Sequence, residues 1–127
     1  MYNENDELLP HNLYAWTKLG GESCVKMVKN HLIIRTSFGE SEFPYEHAYI
    51  NLISSKDYVD IISPMILKAV KSELIGILNI GTLPKSIYEF AKKRNNVTPI
   101  ELKKQKNFSL NTTKYEKIFN YKRMSDF

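Results

Sequence analysis

The chain has 127 residues, 43% of them hydrophobic and 25% charged, with a net charge of +4 and a single cysteine. These proportions fit one modest globular domain and exclude a disordered, collagen-like or repeat protein. No apolar run approaches the ~18 residues of a membrane-spanning helix, and a lone Cys24 excludes an internal disulfide or a Cys-rich zinc site.

The chain opens with the acidic, polar segment Met1–Glu7, the reverse of a secretory signal, so a reducing, cytoplasmic setting is expected. Asp6 to Asn12 reads as a loop, and Asn12 as the N-cap of a helix running from Leu13 to Lys29. Leu13, Trp16, Leu19 or Gly20, Cys24, Met27 and Val28 recur at three- and four-residue spacing, a helical pattern with Cys24 expected on its apolar side as a small core residue. Gly20-Gly21 in mid-helix costs up to ~1 kcal/mol per glycine relative to alanine, and predicts close approach of another backbone or helix. His31 to Thr36 is a buried strand, Ser37 to His47 a surface loop, and Ala48 to Ile53 a second strand. Ser55 caps a helix from Lys56 to Ser72, with Pro64 inside it. Gly76 to Gly81 is a glycine-bounded strand, and Thr82 with Pro84 opens a helix to Arg94. Val97 to Leu102 is a weak strand and Thr112 to Phe119 a short terminal helix. This order predicts an α/β layer structure. It also lacks strands to flank its own sheet, so the expectation is one partial domain over 1–127.

The charge is unevenly placed. Residues 1–100 are neutral, and the whole +4 falls in 101–127. Lys103, Lys104, Lys106, Lys114, Lys117, Lys122 and Arg123 read either as a solvated C-terminal end or as a strip attracting phosphate. No nucleic-acid motif accompanies them, so nucleic-acid binding ranks last among the readings. His11, His31 and His47 share no ligand-like spacing, and no metal site is expected.

One short pattern carries chemistry. Tyr14-Ala15-Trp16-Thr17-Lys18 places a phenol and an ammonium on one face of a helix, one turn apart. Tyrosine ionises near pH ~10, and a cation beside it favours the phenolate, which makes it a usable acid–base group. The spacing alone selects nothing, because eight Tyr and fifteen Lys in this chain produce about one such pair by chance. A second copy, Tyr88 to Lys92, reads as an ordinary amphipathic helix with Lys92 in solvent.

The surroundings distinguish the first copy. Tyr14 to Glu22, preceded by Pro10-His11-Asn12, resembles the active-site helix of extended short-chain dehydrogenase/reductases in the NAD-dependent epimerase/dehydratase superfamily. Its nearest likeness is the nucleotide-sugar branch typified by dTDP-4-dehydrorhamnose reductase. Ile33-Ile34-Arg35-Thr36-Ser37-Phe38-Gly39, Asp57-Tyr58-Val59, Gly76 to Gly81, Ser86 to Ala91 and Ser109 to Lys114 correspond in family order.

The resemblance implies the C-terminal part of a Rossmann-like NAD(P)-binding fold with a small substrate-binding region. Residues 1–39 would form the active-site helix and following strand, and 40–127 the substrate-binding, C-terminal region. It implies Tyr14 as proton donor to a 4-keto sugar nucleotide and Lys18 as its helper on the nicotinamide ribose. Thr36 and Ser37 would hold the nicotinamide end of NAD(P)H, and Phe38 would lie against the sugar. On the residues alone, Thr36 and Ser37 are equally a polar strand end, and Phe38 equally a core aromatic. Arg35 is expected in an internal ion pair, with Asp57 the suggested partner.

No Gly-x-Gly-x-x-Gly occurs in the chain, so the family's dinucleotide platform is absent from it. The expectation is an inactive C-terminal portion that binds NADPH or NADH only with an N-terminal half or partner subunit supplied. The alternative is a truncated, non-catalytic interaction or dimerisation module, with a homodimer as one form.

Overall fold

Residues 1–122 are described here in a computed structural model. Helix α1 (Leu13–Val25) starts where Asn12 accepts a hydrogen bond from the Ala15 amide at 2.8 Å, satisfying a donor that the first turn leaves free. Strands β1 (Leu32–Arg35), β2 (Phe38–Gly39), β3 (His47–Tyr49), β4 (Leu52–Ser54) and β5 (Asp57–Tyr58) follow. Helix α2 (Val59–Lys71) leads to β6 (Gly76–Asn79), then β7 (Lys85–Ser86) and α3 (Ile87–Lys92). The chain continues through β8 (Thr98–Ile100) and β9 (Lys106–Asn107) to α4 (Thr113–Phe119).

The strands pair across long sequence separations. β1 runs parallel to β6, with Leu32 opposite Gly76 and Arg35 opposite Asn79. β2 pairs with β5 and β3 with β8, both parallel, and β4 lies between antiparallel β7 and parallel β9. The α/β class expected from the sequence is therefore observed, with mostly parallel pairing.

The main core covers one face of the β1–β6 pair. Ile62, Met65 and Ala69 of α2 recur at helical spacing and pack on Leu78, Ile80 and Tyr115 of α4, with Leu32 and Ile34 beside them. Each such large apolar side chain contributes roughly 1.5–3 kcal/mol when buried. Two glycines are required here. Gly76 opens β6 at φ +101, a conformation that a side chain strains. A Cβ at Gly81 would stand 2.9 Å from the Ser55 carbonyl oxygen, and that oxygen accepts from the Thr82 amide at 3.1 Å.

The N-terminal segment is tied to the end of β6. The buried Asn79 side chain donates to the carbonyls of Tyr2 at 3.0 Å and Asn111 at 3.1 Å, and the Asn79 backbone amide donates to Glu4 Oε1 at 3.2 Å. The Tyr2 amide donates to the Ser109 carbonyl at 2.9 Å, so the N-terminal segment and residues 109–111 meet beside this strand.

Several expected boundaries move, each for a local reason. α2 starts at Val59 because the Ser55 hydroxyl accepts from the Leu110 amide at 3.0 Å and does not cap a helix. The helix expected from Thr82 begins only at Ile87, where Ser86 and Glu89 form a capping box. The strand expected over 48–53 splits into β3 and β4. The Asn51 side chain turns aside there to bond both the amide and the carbonyl of Leu102, each at 2.8 Å. The surface loop 37–47 contains β2, whose two residues carry no periodic signal.

α1 departs furthest from expectation. It has no buried residue, and Leu13, Trp16, Met27 and Val28 are exposed. Cys24 is exposed, not a core residue. Nothing lies within 4 Å of a Cβ placed at Gly20 or Gly21, so the close approach expected there is not made. The second Tyr-x-x-x-Lys copy is an amphipathic helix as expected, with Phe90 buried and Lys92 exposed. Lys103, Lys104, Lys106, Lys117 and Lys122 are exposed, whereas Lys114 donates to the Ile77 carbonyl at 2.6 Å. Arg123 lies outside the described residues.

Candidate functional site

The face of β1 turned away from the main core meets α1. Arg35 holds the two together: its Nε donates to Glu22 Oε1 at 2.8 Å and its Nη2 to Glu22 Oε2 at 2.9 Å. Nη1 donates to the Glu4 carbonyl at 3.0 Å, drawing the N-terminal segment into the same junction. The partner is thus Glu22, not the Asp57 suggested by sequence. Asp57 instead accepts from Thr82 at 2.8 Å and pairs with Lys85 at 3.3 Å. Arg35 holds the Glu22 carboxyl below the usual carboxylate range, outweighing the burial that would raise it. Such a bidentate pair fixes orientation as well as energy.

Glu22 stands one turn beyond Lys18, and Lys18 one turn beyond Tyr14, a rise of ~6 Å per step. The pair that anchors α1 therefore also sets the height of Tyr14 and Lys18 above the strand. Between α1 and β1 opens a cavity of about 600 Å³. Tyr14, Lys18, Thr36 and Ser37 all line it, although Tyr14 and Lys18 lie on α1 and Thr36 and Ser37 just past β1. Phe38 does not line it; it is half exposed at the start of β2.

Three of the polar groups lining the cavity are unengaged. Neither the Tyr14 hydroxyl nor the Lys18 ammonium hydrogen-bonds to a described residue. Thr36 Oγ1 is buried without a partner, a costly state for a hydroxyl unless something bonds it. A phenol, an ammonium and an orphaned hydroxyl around one opening fit the hydroxyl-bearing ribose and amide end of a nicotinamide nucleotide.

Sequence reasoning missed part of the wall. Ser54, Ser55, Phe108 and Leu110 also line the cavity. Ser55 and Leu110 are held together by the hydrogen bond that displaces the start of α2. The family match over Ser109–Lys114 takes in Leu110, but Phe108 and Ser54 carry no local signal, and that of Ser55 reads as a helix cap. Among the described residues no three His, Cys, Asp or Glu side chains group as a metal site. No helix there is long and apolar enough to cross a membrane.

Against known proteins, residues 1–68 match the family described as RmlD substrate binding domain. Nothing matches among curated proteins. The fold is similar to dTDP-4-dehydrorhamnose reductase from Bacillus anthracis str. Ames, solved in complex with NADP. That likeness has a TM-score of 0.74 at 23% identity, covering 97% of this chain and 54% of that one. It is also similar to a hypothetical dTDP-4-dehydrorhamnose reductase from Sulfolobus tokodaii, with a TM-score of 0.72 at 23% identity, covering 92% and 52%. For dTDP-4-dehydrorhamnose reductase from Yersinia enterocolitica the values are 0.63 at 22% identity, covering 87% and 51%. The chain spans about half the length of these structures.

Proposed function

The chain belongs to the RmlD substrate binding domain family, and from that membership we propose that it is the substrate-facing, C-terminal portion of an NAD(P)H-dependent nucleotide-sugar reductase. The reaction is reduction of a 4-keto sugar nucleotide. The observation that carries this reading is the convergence of Tyr14, Lys18, Thr36 and Ser37 on one cavity from two separate elements.

NAD(P)H, when bound, supplies the hydride that the ketone carbon receives. The Tyr14 hydroxyl gives its proton to the carbonyl oxygen as the C=O π bond opens, so the product is an alcohol. Lys18 stabilises the resulting phenolate and bonds the ribose hydroxyls. Thr36 and Ser37 hold the nicotinamide end, with Thr36 Oγ1 gaining the partner it lacks. Phe38, exposed one residue beyond Ser37, faces the sugar ring.

The dinucleotide platform comes from a further segment or a separate subunit, packed on the exposed face of α1 around Leu13 and Trp16. Relatives about twice as long support that arrangement. The chain alone is then inactive. The same exposed face favours a second reading, a non-catalytic interaction or dimerisation module that forms a homodimer.

Tyr14→Phe decides between the two in the assembled enzyme, assayed with NADPH and a 4-keto nucleotide sugar. Turnover is expected to fall about 10²–10⁴-fold, the span of a lost general acid. NADPH affinity should stay within a few-fold, and the melting temperature should be unchanged because Tyr14 is exposed. Undiminished turnover would remove Tyr14 from the reaction.

A further inference from the structure

Arg35 holds both ends of the stretch 4–22. Its Nη1 donates to the Glu4 carbonyl at 3.0 Å, and its Nε and Nη2 grip the Glu22 carboxylate at 2.8 and 2.9 Å. Tyr14 and Lys18 lie between these two anchors. The residue after Arg35 is Thr36, which lines the same cavity as Tyr14 and Lys18. One side chain therefore fastens the α1 wall of the cavity to the strand end beside it.

The Glu4 end is itself braced. Tyr2 donates to the Ser109 carbonyl at 2.9 Å and accepts from the Asn111 amide at 2.7 Å, in a short parallel bridge with Leu110. Asn79, opposite Arg35 across the β1–β6 pair, donates from its side chain to the Tyr2 carbonyl and from its backbone amide to Glu4 Oε1. Leu110 also lines the cavity. The bonds thus run from that wall through Tyr2, Glu4 and Arg35 to Glu22 on α1.

Packing alone does not hold α1 in place, because the helix buries no residue. Glu22 and Tyr14 stand about 12 Å apart along the axis, so a swing of about 5° at Glu22 carries Tyr14 by about 1 Å. A displacement of that size costs roughly 10²-fold in rate when it falls on a reacting group. We infer that Arg35 is a positioning residue: by gripping Glu4 and Glu22 together it sets where Tyr14 and Lys18 stand over the cavity. The clamp itself is a property of this chain, and its effect on turnover rests on the proposed proton transfer from Tyr14.

Cys24, the sole cysteine, is exposed near the end of α1 and takes a nitroxide label in the full chain. Arg35→Met should narrow the electron paramagnetic resonance lines of that label. Arg35→Lys, which keeps the charge but loses the bidentate grip, should narrow them less, and it serves where Arg35→Met does not fold. Tyr2→Pro removes the amide that donates to Ser109 and should narrow the lines as well, whereas Tyr2→Phe keeps that amide and should not. A label on α2, at the exposed position of Ser63→Cys in a Cys24→Ser chain, should be unchanged by all four substitutions. In the assembled enzyme, Arg35→Lys should lower kcat by at least about tenfold and change KM for NADPH less than kcat. An unmoved Cys24 label in the Arg35 variants would overturn the clamp. So would equal changes at the two label positions, which would mark a general loosening of the fold. A mobile Cys24 label with undiminished kcat would overturn the positioning role, provided that Tyr14→Phe lowers turnover. Where Tyr14→Phe does not, the catalytic reading is what fails, and the label result upholds the clamp.

Discussion

Helices α1 and α2 are both 13 residues long, and both carry apolar side chains at helical spacing. α2 buries Ile62, Met65 and Ala69 and organises the main core, whereas α1 buries nothing fully. The difference lies in what each helix faces. α2 runs from β5 into β6 and lies across the apolar face of the β1–β6 pair. α1 meets the opposite face through the Glu22–Arg35 pair, with an open cavity between them. A helix that displays its apolar residues beside unengaged polar groups is available for binding, and one that buries them supplies stability.

Substitutions on the two helices should therefore differ sharply. Ile62→Ala should cost about 2–5 kcal/mol in chemical denaturation, through lost burial and a cavity, because Ile62 is 0% exposed. Leu13→Ala, at 81% exposure, should stay within about 0.5 kcal/mol in the isolated chain. Equal costs would mean that α1 packs as α2 does.

The single ionic tie of α1 to β1 should give a smaller effect. Glu22→Gln leaves the Arg35 guanidinium half-buried with a neutral partner, and should cost about 1–3 kcal/mol at pH 7. The sign with pH follows from the depressed Glu22 carboxyl. Its stabilisation is fully present above its ordinary value of 4.5 and is lost as pH falls through the lower folded value. Melting temperatures of the wild type and Glu22→Gln should thus converge as pH falls below 4.5 and through the lowered folded value. A gap that does not narrow at all on acidification would show that the pair acts through packing, not charge.

The smallest effect belongs to the glycine pair. Gly21→Ala in the isolated chain should stabilise by roughly 0.4–1 kcal/mol, since the added methyl meets nothing within 4 Å. Destabilisation in thermal melts would reveal a contact at that face.

Much of the fold was legible because its signals are local. Asn12 caps α1, the β-branched run after His31 forms β1, and Thr112 to Phe119 forms a helix at nearly its expected bounds. What escaped depends on long-range partners. Ser55 looks like a cap until Leu110 takes its hydroxyl, and Asn51 splits a strand only because Leu102 lies beside it. Arg35 announces an ion pair, but nothing local selects Glu22 over Asp57. The stripe on α1 shows its period without showing what it faces.

At the site, helical spacing alone does not separate Tyr14 and Lys18 from Tyr88 and Lys92; family order singles them out, together with Thr36 and Ser37. Their meeting at one cavity requires the anchoring of α1 to β1, which no local pattern encodes. Ser54, Ser55 and Phe108 reach the wall through pairings far apart in sequence.

Under the proposed function, this chain supplies the proton-donor wall of a nicotinamide site whose dinucleotide platform lies outside it. Titration of NADPH into the purified chain, followed by cofactor fluorescence, tests this most directly. No saturation is expected in the micromolar range if Tyr14, Lys18, Thr36 and Ser37 meet only one end of the cofactor, as proposed. Saturable micromolar binding by the chain alone would contradict it.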